Sequence, residues 1–292
     1  MIDRGEIRRI AGTLGVDPRV IDHDYVLGCF LHYLSLQDEV RKTWVFKGGT
    51  SLAKCHFAEY RFSEDLDFTA LTTITEASLK DVVDRTKQSM QDSIGIPTDF
   101  QNSKVDVIQD DYRQESFEAR IYYRGPWEYG GSARSLQIHV NRDETIVFST
   151  PALRISHQYS DKPELPQASL QAYALEEILA EKLRALSGQR KFAIARDLYD
   201  VKFLSRQPVS LQDVFKALPQ KFATKGISVQ DIDVDKLSGR KTEYEINWKN
   251  NLEYLIPEPL KVPFEDAWTV SLAMLSQARN THYQGPCPKA RA

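Results

Sequence analysis

A change of pattern at residues 151–167 constrains the fold of this chain more than any other feature. Before it, short strand-like runs alternate with helical ones, and after it the apolar residues recur with helical spacing. The segment itself, PALRISHQYSDKPELPQ, contains three prolines, which the interiors of helices and sheets accommodate poorly. We therefore predict an α+β protein with a mixed α/β domain at residues 1–160 and a helical domain at residues 161–292.

The first half contains several runs that predict β-strands. They are residues 43–47, residues 64–69, KVDVIQ, SFEARIYYRG, SLQIHVN and TIVFS. Residues 76–94 have helical spacing, and Thr75 precedes them as a candidate N-cap.

Composition and charge exclude some classes of protein. Hydrophobic residues make up 41% and charged residues 27%, and the net charge is −3, so a polyanion must be held by a local basic patch or through metal. No apolar run approaches the ~20 residues of a membrane span, and the first residues lack the apolar core of a signal peptide. The scattered cysteines, Cys29, Cys55 and Cys287, are typical of a reducing cytoplasm. We expect a cytoplasmic protein without membrane association.

The strand-like run EDLDFT places two carboxylates on one face. Side chains alternate along a strand, so Asp65 and Asp67 point one way while Leu66 and Phe68 point into the core. Two adjacent carboxylates repel each other, and a divalent cation with oxygen ligands, most naturally Mg²⁺ shared with substrate phosphates, would neutralise them. The alternative is an edge strand with one solvated face.

The preceding run FKGGTSLAK is typical of a phosphate-binding turn. Gly48 and Gly49 allow backbone N–H groups to approach a phosphate closely. Thr50 and Ser51 add hydroxyl donors at the start of a helix, although a simple helix cap would use the same residues. Ser63 could bind phosphate or end the loop before the strand. A phosphate-binding turn followed by a metal pair is the layout of a nucleotidyltransferase site.

Two helices of the second half each carry one charge where an apolar residue is expected. In LEEILAEKLRAL, Lys182 interrupts the apolar stripe, and in FAIARDLYDVKFL, Asp197 lies at the edge of the stripe. They could form a buried ion pair between the helices. Alternatively, Lys182 could reach triphosphate oxygens while Asp197 positions it. Four nearby cations could also contact a polyanion: Arg184, Arg190, Lys191 and Arg196.

Taken together, FKGGTSLAK, RFSEDLDF, EKLRAL and ARDLYD resemble the AbiEii/AbiGii family, toxins of bacterial abortive-infection (phage-defence) systems that share a core with the MenT toxins. The resemblance covers most of residues 20–205. It implies a DNA-polymerase-β-like nucleotidyltransferase domain, with a mixed sheet flanked by helices, followed by a helical C-terminal half. It also implies transfer of a nucleoside monophosphate from a nucleoside triphosphate, with release of pyrophosphate.

The resemblance assigns roles to individual residues. Asp65 and Asp67 would bind Mg²⁺ and the nucleotide. Lys182 would contact the triphosphate, and Asp197 would be a second essential acid. The remaining nucleotide-binding candidates are Gly48, Gly49, Thr50, Ser51 and Ser63.

One position departs from the related pattern. Many polymerase-β-like enzymes carry a third carboxylate on a later central strand, where this sequence has His139. A histidine there could act as a base near neutral pH or be a hydrogen-bonded core residue. Asp106, Asp143 and Glu144 are alternative sources of the missing carboxylate.

The resemblance also implies biological partners. The acceptor is expected to be the 3′ end of tRNA, where added nucleotides would stop translation, and a cognate antitoxin is expected. Two other functions remain open at this point. One is nucleotidyl transfer to a protein or small-molecule hydroxyl, including self-modification at Ser63. The other is a nucleotide-binding regulatory module without catalysis.

Overall fold

The computed structural model describes residues 1–98, 103–109, 114–127 and 132–282. The strands are β1 (Trp44–Lys47), β2 (Asp65–Ala70), β3 (Lys104–Gln109), β4 (Glu115–Tyr123), β5 (Arg134–Asn141), β6 (Ala152–Arg154) and β7 (Ser169–Gln171). The helices are α1 (Arg4–Leu14), α2 (Pro18–Leu34), α3 (Asp38–Thr43), α4 (Gly48–Ser51), α5 (Glu76–Ile94), α6 (Leu175–Ala185), α7 (Arg196–Leu204), α8 (Leu211–Ala223), α9 (Val234–Ser238), α10 (Lys241–Asn251) and α11 (Phe264–His282).

The chain divides into two compact units. The first consists of residues 1–144, 148–174 and 251–261, and the second of residues 145–147, 175–250 and 262–292. The sequence prediction placed the division after residue 160, whereas the first unit continues to Ala174 and includes a later segment. In its described residues, the second unit contains α6 to α11, and the sheets belong to the first unit.

The larger sheet of the first unit has the strand order β1-β2-β5-β4-β3. β2 and β5 run parallel, and the other neighbouring pairs are antiparallel. This mixed sheet, together with the helices, confirms the predicted α+β class.

The sheet separates an apolar face from a polar one. Leu66 and Phe68 of β2 and Ile138 and Val140 of β5 are fully buried and belong to the hydrophobic core, to which α2 and α5 also contribute. Their neighbours along each strand point to the opposite face. The alternation predicted for Asp65 to Phe68 is therefore present, and it places both aspartates on the polar face.

Helix α5 begins where the sequence predicts. The Thr75 hydroxyl accepts a hydrogen bond from the Ser78 amide, and the Ser78 hydroxyl accepts one from the Thr75 amide. This reciprocal cap satisfies two amides that the first helical turn leaves without partners. The helix ends at Gly95, in a left-handed conformation with φ of 71°.

The prediction that TIVFS forms a strand is wrong. The Thr145 carbonyl accepts a hydrogen bond from the fully buried ammonium of Lys221, and the Val147 amide donates one to Glu177. Lys221 also forms ion pairs with Glu177 at 2.7 Å and Glu181 at 3.0 Å. The backbone of residues 145–147 thus binds side chains of α6 and α8 instead of a neighbouring strand.

Among the described residues, no helix combines the length and the apolar character that a membrane crossing requires. Cys29 and Cys55 are free thiols, and Cys287 lies outside the described residues.

Candidate active site

A row of charged side chains crosses the polar face of the sheet. Asp67 on β2 pairs in register with Lys47 on β1 and with His139 on β5. His139 in turn pairs with Glu118 on β4, and Glu118 with Asp106 on β3. Residues paired in register share a face, so the row places a cationic or ionisable nitrogen on each side of Asp67. Asp65 lies on the same face, two residues before Asp67.

The glycine turn lies directly against Asp67. Gly48 has φ of +76°, and a Cβ built on it would lie 2.5 Å from Asp67 Oδ2. A Cβ on Gly49 would lie 2.5 Å from a guanidinium nitrogen of Arg61, which is itself buried. A side chain at either position would therefore displace Asp67 or Arg61. The structure brings the predicted turn and the predicted acidic pair together in one place.

The hydroxyl residues of the turn are less accessible than the sequence suggests. Thr50 is buried, and its hydroxyl donates a hydrogen bond to the Asp65 carbonyl oxygen. Ser51 is fully buried, and its hydroxyl has no hydrogen-bond partner among the described residues. Ser63 is also buried, in the loop that leads into β2. The Thr50 contact fixes α4 to the start of β2, which holds the turn beside the carboxylates.

His139 lies between two carboxylates. Its Nδ1 is 3.3 Å from Asp67 Oδ1, and its Nε2 is 3.3 Å from Glu118 Oε2. Burial lowers the pKa of His139, but the hydrogen bond to Asp67 and the charges of Asp67, Asp65 and Glu118 outweigh it and raise that pKa to about 9. The two neighbouring carboxylates thus favour the protonated imidazole, which bridges the two acids. In this state it has no free lone pair to serve as a base.

The acidic pair suits a hard cation that shares its ligands with a substrate. Asp67 keeps 34% of its side chain exposed, and Gly48 leaves open the space next to its carboxylate. No group of three or more His, Cys, Asp or Glu side chains in the described ranges is arranged to hold a metal ion by itself. Mg²⁺ is commonly bound by one or two carboxylates plus substrate phosphates and water. Asp65 and Asp67 fit that role.

Lys182 and Asp197 form an ion pair within the second unit. Lys182 Nζ is 2.6 Å from Asp197 Oδ1 and 2.9 Å from Asp200 Oδ2. Asp197 also accepts a 2.7 Å hydrogen bond from Arg190. Asp200 is fully buried, and 16% of the Lys182 side chain is exposed. The predicted pair is thus part of a four-residue cluster of two cations and two acids.

Three residues of these clusters were not predicted from the sequence. Glu118 could be found only through strand register, because nothing near it in the sequence resembles a motif, whereas Lys47 lies within FKGGTSLAK, next to Gly48. Lys47 is buried, 4.0 Å from Glu144, and its ammonium lies 5.8 Å from the centre of the Tyr173 ring. Asp200 could have been predicted from the sequence, because it follows Asp197 by one helical turn.

Comparison with known protein families supports the motif-based prediction. Residues 33–279 match the family described as AbiEii, the nucleotidyl transferase AbiEii toxin of type IV toxin–antitoxin systems. The chain belongs to this family. AbiEii membership identifies it as a nucleotidyltransferase and a toxin, and implies a nucleoside triphosphate substrate and an antitoxin partner. Nucleotidyltransferases of this kind generally use a divalent metal.

Solved structures show the same fold as this AbiEii protein. MenT4, a nucleotidyltransferase toxin from Mycobacterium tuberculosis H37Rv, matches with a TM-score of 0.58 and 17% identity, over 96% of this chain and 99% of that chain. JHP933 from Helicobacter pylori matches with a TM-score of 0.55 and 19% identity, over 91% of this chain and 94% of that chain. A search of curated proteins found no match.

Proposed function

We propose that this AbiEii toxin is a Mg²⁺-dependent enzyme of the cytoplasm that transfers a nucleoside monophosphate to the 3′ end of tRNA and thereby blocks translation. The observation that carries the proposal is the packing of Gly48 against Asp67, which places a backbone turn and two carboxylates on one face of the sheet. Such a site serves a substrate that combines phosphates with a metal.

Each residue of the site has a defined task in this reaction. Asp65 and Asp67 would hold the metal, which would supply charge neutralisation for the triphosphate and the transferring group. Gly48 and Gly49 present backbone N–H groups to phosphate oxygens. Thr50 positions the turn through its hydrogen bond to Asp65. Catalysis of this type depends on positioning and electrostatics.

Lys182 neutralises charge on the departing pyrophosphate in this proposal. The ammonium has three N–H donors, and Asp197 and Asp200 bind it with short contacts. Asp197 therefore orients the lysine, and Arg190 fixes the other oxygen of Asp197. Ser51 is buried in the turn and Ser63 in the loop before β2, and both belong to the nucleotide-binding set of this proposal.

His139 links Asp67 to Glu118 at the position of the missing third carboxylate. Its 3.3 Å contact holds the Asp67 carboxylate in place. Glu118 supplies a third acid on the same face, one strand further from Asp67 than His139. We infer that the pair supports the geometry of the metal site.

The proposal is tested by incubating the purified protein with total tRNA, Mg²⁺ and each α-labelled nucleoside triphosphate in turn. Label is expected in the tRNA band with at least one nucleotide, and it should disappear with a chelator or in Asp65→Ala. Label found only in the protein or in a small molecule would refute the tRNA acceptor while leaving a nucleotidyltransferase. Equal labelling by wild type and Asp65→Ala would refute the assigned site.

A further inference from the structure

The loop at residues 186–195, between α6 and α7, is the centre of a strongly basic stretch. From Arg184 to Arg196 the sequence RALSGQRKFAIAR contains four cations and no carboxylate, in a chain whose net charge is −3. Arg184 is buried and Arg190 is paired with Asp197, so the exposed Lys191 is the cation of this stretch best placed to attract a polyanion.

The loop is held in place by side chains from the same unit. The Arg240 guanidinium donates hydrogen bonds to the carbonyl oxygens of Arg190 at 2.7 Å and Lys191 at 3.0 Å. At the other end, the Ala195 amide donates to Asn247 Oδ1 at 2.9 Å. A loop anchored on both sides loses little conformational entropy when it binds a ligand.

The anchored loop presents an aromatic ring to solvent. Phe192 is 63% exposed, the largest value for a large hydrophobic residue in the described ranges. The ammonium of Lys191 lies 5.1 Å from the centre of the ring. At this exposure the Phe192 ring contributes little to the core and is accessible to a ligand. An aromatic ring beside cations is the arrangement on which proteins stack unpaired bases of single-stranded nucleic acid.

We propose that Phe192 stacks on an unpaired base of the RNA acceptor while Lys191 contacts an adjacent phosphate. The inference rests on the proposed RNA acceptor and adds residues that bind it. It also connects acceptor binding to the Lys182 cluster, because Arg190 of the same loop donates to Asp197.

The test measures binding apart from catalysis. Affinity for a short fluorescent single-stranded RNA with a free 3′ end is measured by anisotropy in Asp65→Ala protein, which cannot consume nucleotide. Phe192→Ala is expected to weaken binding about 5- to 100-fold, the range for loss of one stacked base. Phe192→Trp should retain affinity, and its fluorescence should be quenched by the RNA. Lys191→Gln should reduce the salt dependence of binding by about one phosphate contact.

A matched control is Ile246→Ala, because Ile246 is 56% exposed on α10 and lies outside the loop. It should bind RNA like the parent protein. In the active enzyme, Phe192→Ala should raise KM for RNA and leave KM for the nucleotide unchanged. Melting temperatures should match for all variants, because the substituted side chains are exposed.

Three outcomes would overturn the inference. Unchanged RNA affinity in Phe192→Ala would remove the stacking role, and an equal loss in Ile246→Ala would show a general surface effect. Self-association of the wild type that Phe192→Ala abolishes, with RNA affinity unchanged, would assign the ring to a protein interface. Failure of the proposed function itself gives a different result, since wild type would then label no RNA whatever the state of residue 192.

Discussion

Replacing Gly48 with alanine perturbs the site through a single added methyl group. The substitution has two separable effects. The first is backbone strain, because φ of +76° costs a residue with a Cβ about 1–2 kcal/mol. The second is a collision, because the new Cβ would lie 2.5 Å from Asp67 Oδ2 and 3.3 Å from its Cβ and Cγ.

The collision should affect activity more than stability. Asp67 has a short side chain that is 34% exposed, so it can rotate towards solvent at the cost of its contact with His139. That rotation moves a metal-binding oxygen out of position, and misplacement by about 1 Å can reduce a rate about 100-fold. We therefore expect Gly48→Ala to lose about 1–2 kcal/mol of unfolding free energy and about 100-fold in nucleotidyl transfer.

Gly95→Ala is the matched control for this experiment. Gly95 has nearly the same backbone conformation, with φ of +71°, but its Cβ would meet no atom within 4 Å. It should lose a similar free energy of unfolding, measured by urea denaturation, with full activity in the labelling assay. Wild-type activity in Gly48→Ala, or an equal loss of activity in both variants, would refute the reasoning that Gly48 makes room for the Asp67 carboxylate.

Three further predictions concern buried charges and histidines. Lys182→Met should lower the unfolding free energy by about 3 kcal/mol, because it leaves the buried Asp200 carboxylate without this cation. Urea denaturation of Lys182→Met, with Lys182→Arg measured for comparison, checks this. An unchanged free energy of unfolding in Lys182→Met would contradict it. Burial lowers the pKa of His32 to about 4, so the unfolded chain takes up its proton first as the pH falls. The contribution of neutral His32 to the free energy of unfolding is thus fully present above pH 6.5 and is lost as the pH falls towards 4. About 2 kcal/mol of it is lost between pH 7 and pH 5. His32→Gln should flatten this part of the profile, and an identical slope would refute the assignment. Asp67→Asn should lower the pKa of His139 from about 9 in an NMR titration, where no change would exclude the Asp67 contact as its cause.

Local sequence patterns were enough to predict elements whose stabilising contacts are local. The start of α5 follows from Thr75 and Ser78, which cap each other within one turn. The faces of Asp65 and Asp67 follow from strand alternation alone. In each case the deciding interaction lies within a few residues.

Features that depend on distant partners could not be predicted in this way. TIVFS has the composition of a strand, yet Lys221 binds the Thr145 carbonyl from 76 residues away in the chain. Glu118 reaches the site only because β4 pairs with β5 in one register, and a shift of one residue would turn it to the other face. The sequence also could not predict which aromatic residues are exposed, because composition does not separate Phe192 from the buried Tyr123.

The central claim is that Asp65 and Asp67 bind a metal together with a nucleoside triphosphate next to the glycine turn. Calorimetric titration with a non-hydrolysable triphosphate, with and without Mg²⁺, tests it most directly in wild type, Asp65→Asn and Asp67→Asn. The account predicts Mg²⁺-dependent binding in the wild type that both variants lose while their melting temperatures stay near the wild-type value. Binding of equal affinity without Mg²⁺, or undiminished Mg²⁺-dependent binding in both variants, would contradict it.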